Sequence, residues 1–151
     1  MSSSPIRSVL TQLPDAASLV EVLKLVPDPR ARRGIRHALP GIVAVALAAV
    51  VAGARSFAAI GQWASELTGE QLATLGLDRP TAPHASTFRK VMGRLDAASL
   101  DRLVGALLWT RTRVVAGRRV IAIDGKSVRG ARTATRAAPH LVSALDHATG
   151  T

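Results

Sequence analysis

Apolar residues in this chain recur at helical spacing over most of its length and at strand spacing only near its carboxyl end. Leu19, Val22, Leu23 and Val26 stand at i, i+3, i+4 and i+7, and Ser18 with Glu21 has the order of a capping box. A short amphipathic helix is therefore predicted to begin at Ser18 and to stop before Pro27 and Pro29. Ile42 to Val51 is apolar on every face, with Pro40 suited to a first turn and Gly53 in the C′ role. A helix with no polar face belongs at the centre of a bundle. Ser56 is predicted to cap the next helix, whose Phe57, Ile60, Ala64 and Leu67 form one stripe with Trp63 beside it. Thr68 with Gln71 makes a second capping box, opening a short helix that Gly76 closes.

Leu77 to Ala85 is a proline-containing loop. Beyond it Ser86 or Thr87 is predicted to cap a helix through Phe88, Val91, Met92 and Leu95, with Arg89, Lys90 and Arg94 on its other positions. Asp96 then caps a longer helix buried along Leu100, Leu103, Val104, Leu107 and Leu108. Arg111 and Arg113 lie near its carboxyl end, where cations favour the helix dipole. After Gly117 the pattern changes. Val120 to Ile123 is apolar and mostly β-branched, bounded by Arg119 and by Asp124-Gly125, which predicts a buried strand ending in a turn that carries Asp124. A polar, basic connection leads to a second predicted strand, His140 to Leu145. Asp146 to Gly150 reads as a turn whose return strand would begin at Thr151. The expected organisation is α+β: a flexible arm over 1–17, a helical domain over 18–116 and a strand-containing segment over 117–151.

Charge changes this picture from fold to partner. Twenty Lys and Arg against ten Asp and Glu leave a formal charge of +10, and nearly all the cations are arginine, whose planar fork matches phosphate. Nucleic acid is the leading partner class. Four of the arginines, Arg30, Arg32, Arg33 and Arg36, fall in seven residues of the Asp28 to His37 segment, which Pro29 and Gly34 break. This segment reads either as a loop that grips backbone phosphates or as a solvated charge run. Arg89 and Lys90 early in the helix after the loop fit a helix-turn-helix reader of DNA, and equally the outer face of any amphipathic helix. His37 has no reading of its own. The chain has no cysteine, which excludes disulfides and thiolate metal sites and suits a reducing cytoplasm. With no tyrosine it has no tyrosine nucleophile for strand cleavage. Leu39 to Ala54 is uncharged but falls short of the roughly 20 apolar residues a spanning helix needs, so a buried core helix is expected and no membrane partner. The amino terminus does not have the pattern of a secretory signal.

Asp124 is the chemical focus of the carboxyl end. A carboxylate at a strand end, with Lys126 and Arg129 nearby, suits a Mg²⁺ ligand among phosphate-holding cations; Asp-Gly is also a common turn pair, and on local grounds both readings stand. Gly125-Lys126-Ser127 has the tail of a phosphate-binding P-loop, but the leading glycine would fall at Val120. A nucleotidyl-transfer Lys-x-Asp-Gly motif would need lysine at Ala122. Neither motif is present.

A series of short blocks is more specific than any one of them. Asp28-Pro-Arg, Arg33-Gly-Ile-Arg-His37, Ala52-Gly-Ala-Arg-Ser-Phe-Ala-Ala-Ile60, Ser86-Thr-Phe-Arg89, Ile121-Ala-Ile-Asp-Gly-Lys126, Arg129-Gly130 and His140-Leu-Val-Ser-Ala144 occur in this order. Together, over about residues 20 to 151, they resemble the insertion-sequence DDE transposases of the H-repeat-associated group. The resemblance implies a helical amino-terminal domain followed by the first strands of a ribonuclease-H-like catalytic domain, with Asp124 as the first acidic ligand of a two-Mg²⁺ (or Mn²⁺) site for phosphodiester cleavage and strand transfer. In that family a second Asp and a final Glu complete the site, on elements that would lie beyond Thr151. Asp146 is better read as a turn former, and His140 and His147 as strand and turn residues, than as ligands. The chain is thus expected to be the amino-terminal part of a transposase, truncated and inactive alone, not stably holding the metal. Its DNA-binding residues would be Arg30, Arg32, Arg33, Arg36, Arg89, Lys90, Lys126, Arg129 and Arg132. The alternative is a catalytically inactive DNA-binding or regulatory protein derived from a transposase. Expected partners are DNA and, beyond it, a second copy or a full-length transposase; the expected location is the nucleoid in the cytoplasm.

Overall fold

The computed structural model describes residues 16–33, 35–111, 121–127 and 140–146. Six helices precede two strands among them: α1 (Ala16–Leu23), α2 (Leu39–Val51), α3 (Phe57–Ser65), α4 (Gly69–Thr74), α5 (Ala85–Met92), α6 (Ala97–Arg111), β1 (Ile121–Ser127) and β2 (His140–Asp146). The chain divides into two compact units, Met1–Leu107 and Leu108–Thr151, the division falling within α6.

In the first unit the apolar helix α2 is the centre of the core, as its sequence predicts: Leu39, Ile42, Val43, Ala44, Val45, Ala46, Ala48 and Ala49 are all buried. α1 and α3 pack against it, and α5 packs on α3 and touches α2. Small residues make this possible. A Cβ on Gly41 would stand 2.5 Å from the Gly76 carbonyl oxygen and 2.6 Å from Leu77 Cδ2, so the start of α2 lies directly against the turn that ends α4. That turn is a Schellman motif. Gly76, at φ +82°, donates its N–H to Ala73 O, while Leu77 N–H reaches Leu72 O at 3.0 Å and buries its side chain with Leu72. Gly53 closes α2 the same way, with Gly53 N–H on Val50 O and Ala54 N–H on Ala49 O, both 2.9 Å. The apolar positions of α2 nearest that end, Val50 and Val51, are more than half exposed.

The caps are mostly those the sequence predicts. Ser56 Oγ accepts from Ala59 N–H, Thr68 and Gln71 exchange both bonds of a capping box, and Asp96 accepts from Ala98 N–H and Ser99 Oγ–H. Two differ. α1 is already helical at Ala16, which puts Ser18 inside the helix instead of at its cap. α5 is capped by His84, not by Ser86 or Thr87: His84 Nδ1 accepts from Ser86 N–H at 3.2 Å, an imidazole lone pair taking the place of the usual hydroxyl or carboxylate. Phe57, expected in the stripe of α3, is 39% exposed because the first position of the helix lies outside its packed face, whereas Ile60, Ala64 and Leu67 are buried. On α6 Leu107 is buried, and Leu100, Leu103 and Val104 are partly buried against the core.

The second unit contains an antiparallel pair, β1 with β2, in the register Ile121 with Asp146, Asp124 with Ser143 and Ser127 with His140. This corrects the sequence reading in three ways. Asp124 and Gly125 lie within the strand, not in a turn at its end. Asp146, expected to open a turn, is the last residue of β2, and β2 pairs with β1. Ile123, expected in a buried strand, is 74% exposed. A two-stranded ribbon has two open faces, and nothing in the apolar pattern of one strand specifies what covers it. The arm before residue 16, Arg113, the Gly117 to Val120 approach to the strand, the connection bearing Arg129 and Arg132, and the predicted turn over 147–150 lie outside the described residues.

Candidate nucleic-acid interface

The loop between α1 and α2 has an internal anchor. The guanidinium of Arg30 donates through Nε to Asp28 Oδ1 at 2.9 Å and through Nη2 to Oδ2 at 2.7 Å, and a third donor reaches the His37 carbonyl at 3.0 Å. Arg30 N–H also bonds Asp28 Oδ1, at 3.0 Å. The bonds from Arg30 hold the Asp28 carboxyl below its ordinary range, against the opposing effect of partial burial. Asp28 and Arg30 thus staple the two ends of the arginine-rich segment, and Arg30 is largely withdrawn from external ligands.

The other end of the site is set by α5. α3 and α5 approach so closely that a Cβ on Gly61 would stand 2.8 Å from Ala85 Cβ. Phe88 and Val91 are buried, which turns Lys90 and Arg94 outward. Between the stapled loop and α5 lies a cleft of about 530 Å³. Arg30, Arg33 and Arg36 line it from the loop, Arg79 from the segment before α5, and Lys90 and Arg94 from α5 and the residue pair after it. Its lining includes no Asp or Glu, and Ile35, Ala82 and Val91 supply apolar surface. A second cavity on the α3 side of the Pro80–His84 segment, about 610 Å³, has no Lys, Arg, Asp or Glu in its lining. Six of the eleven Lys and Arg described in this unit therefore share one concavity, while Lys24, Arg32, Arg55, Arg89 and Arg102 lie outside it.

Of the residues singled out in the sequence, the cleft brings together Arg30, Arg33, Arg36 and Lys90. Arg32 and Arg89 are exposed but do not line it. Lys126 is exposed on β1 in the other unit. The structure adds Arg79, Arg94, His37 and His84. No periodicity marks Arg79, and only the Pro80 that follows it hints at a shaped loop. His37 is the unusual member: its Nδ1 is shielded from solvent and has no hydrogen-bond partner. Burial holds the imidazole below its ordinary value, and the neighbouring guanidiniums of Arg79, Arg30 and Arg36 push the same way.

Asp124 has no comparable surroundings. It is exposed, and among the described residues no three His, Asp or Glu lie together as a metal site would require. Strand register puts positions 124 and 146 on opposite faces of the ribbon, since Asp146 pairs with Ile121 and residues 121 and 124 alternate in face. The residues described do not fit a two-metal centre, and no reaction step follows from them.

Residues 20–108, which span the helical unit and its cleft, match the DDE_Tnp_1-associated family. The chain belongs to that family. It is also 27% identical over 135 residues to the "Putative transposase YncI" of Escherichia coli O157:H7 and, at the same identity and length, to the protein of that name from Escherichia coli strain K12. Each match covers 88% of this chain, but only 34% of the first relative and 54% of the second. The chain thus spans about a third to a half of the length of the relatives it matches. No solved structure matches it. The family places the helical unit in the amino-terminal region of insertion-sequence transposases and gives the chain a role related to transposition. No helix among the described residues is long and apolar enough to cross a membrane.

Proposed function

We propose that the helical unit is the DNA-gripping part of an insertion-sequence transposase and that its cleft holds the phosphate backbone. The observation that carries this reading is the convergence of six Lys and Arg side chains from three separate stretches of chain on one concavity with no carboxylate in its lining. A structural role would not need it: solvated charges stabilise little singly and repel one another when gathered. Arginine offers forked donors to phosphate oxygens, and contacts of that kind position DNA without specifying a sequence. Arg32 and Arg89 would contribute from the rim. In this reading residues 117–151 supply the first strands of a ribonuclease-H-like DDE domain, with Asp124 its first acidic ligand. Mg²⁺- or Mn²⁺-dependent cleavage and strand transfer belong to the full-length family, and nucleoid association follows from DNA binding.

Binding of a short duplex of arbitrary sequence, followed across salt concentration, tests the reading. The logarithm of affinity should fall linearly with the logarithm of salt, and Arg33→Ala, Arg36→Ala and Lys90→Ala should each reduce the slope by about 1. Lys126→Ala provides the comparison in the other unit. Absence of binding at low salt, or a triple cleft variant that binds like the unaltered chain, would overturn the reading. The chain by itself is expected not to nick or join DNA in Mg²⁺; robust cleavage lost in Asp124→Asn would contradict that.

A further inference from the structure

His37 lines the cleft but has no task in simple phosphate gripping. Its backbone is fixed, because Arg30 donates to its carbonyl while clamped on Asp28. Its ring shares the cleft with cations from three stretches of chain: Arg30, Arg33 and Arg36 belong to its own loop, Arg79 to the segment before α5, and Lys90 and Arg94 to α5 and its end; the His84 imidazole, whose Nδ1 lone pair caps α5, lines it too. No carboxylate lines the cleft with it, and Asp28, on the same loop, is already bound by Arg30. An imidazolium must place two N–H donors, and Nδ1 has neither solvent nor a partner. The charged ring is therefore disfavoured in the free protein by both solvation and repulsion.

A phosphodiester in the cleft reverses the repulsion, because its negative charge offsets the field of the guanidiniums around the ring. We propose that nucleic-acid backbone is bound in this cleft with uptake of one solvent proton by His37, so that the ring is neutral in the free protein and becomes a further cation in the complex. The inference rests on the reading of the cleft as a backbone-binding site. Thermodynamic reciprocity then makes affinity rise as pH falls, by at most about tenfold per pH unit for one proton. Among side chains only histidine ordinarily changes charge between about pH 5 and 8, so this dependence has few possible sources in the chain.

The test is calorimetric titration of the full chain with a short duplex of arbitrary sequence, at low salt and about pH 6.5, in two buffers of different ionisation enthalpy. The expected result is net proton uptake and an affinity that increases severalfold per unit of acidification, both lost in His37→Gln. His140→Asn, on β2 in the other unit, should retain them. Proton uptake unchanged in His37→Gln would overturn the proposal and leave backbone binding intact. Failure of the unaltered chain to bind at any pH would instead overturn the reading on which it rests. Should His37→Gln not fold, NMR titration of the His37 ring in the unaltered chain decides the matter: a midpoint raised by duplex supports proton uptake, and an unmoved one refutes it.

Discussion

Phe88 and Ile123 are both large apolar residues at positions where the sequence predicts burial, yet Phe88 is fully enclosed and Ile123 is 74% exposed. Phe88 sits on α5, which packs on α3 and touches the core helix α2. Ile123 sits on one of two paired strands, with no packed layer over it among the described residues. The same contrast separates the two candidate sites. The helical unit, whose motifs name no catalytic residue, builds a shaped cleft because its loops are held by caps, turns and the Asp28–Arg30 clamp. The strand pair carries the Ile-Asp-Gly-Lys stretch, and among the described residues it gathers no acidic or histidine cluster around Asp124. A motif names a residue's chemistry; packing around it decides whether that chemistry has a site.

The comparison is broken most directly at its two poles. Phe88→Ala should cost about 3–5 kcal/mol, through lost burial and the cavity left behind, while Ile123→Thr should stay within about 0.5 kcal/mol. Denaturant unfolding followed by the helical signal measures both, and comparable losses would mean that Ile123 is covered in solution. A smaller effect is expected at the capping box: Thr68→Ala should cost about 1 kcal/mol, read as a drop in thermal midpoint, and should leave duplex affinity unchanged. The smallest is a change of pH profile. Because the folded chain holds His37 below its ordinary value of 6.5, the unfolded chain binds the proton first as pH falls. Stability is therefore lost as pH drops through the unfolded value towards the folded one, and His37→Gln should flatten that loss. An equally steep acid profile in the variant would assign it to other groups.

Much of this architecture is local, and local features were legible. The Ser56 cap, the Thr68–Gln71 box, the glycine stops at Gly53 and Gly76, and the burial of α2 follow from residues within a turn or two of one another. The His84 cap was missed because an imidazole lone pair is an uncommon stand-in for a hydroxyl, and the start of α1 because Ser18 and Glu21 fit a box equally well inside a helix. The register of β1 and β2 was missed because strand pairing is settled by residues far apart in the chain.

For the candidate site the division is similar. Composition alone determined that the chain is strongly basic and arginine-rich, and the loop of Arg30 to Arg36 stood out as a possible grip for phosphate. Which cations act together was decided only in three dimensions. Arg30 proved to be a clamp, Arg32 and Arg89 lie off the cleft, and Arg79, Arg94 and His37 line it. The physical reason is that charge is counted along a sequence, whereas a phosphate meets an electrostatic field summed over distance, and the Gly41 and Gly61 contacts that bring these segments together are set by packing.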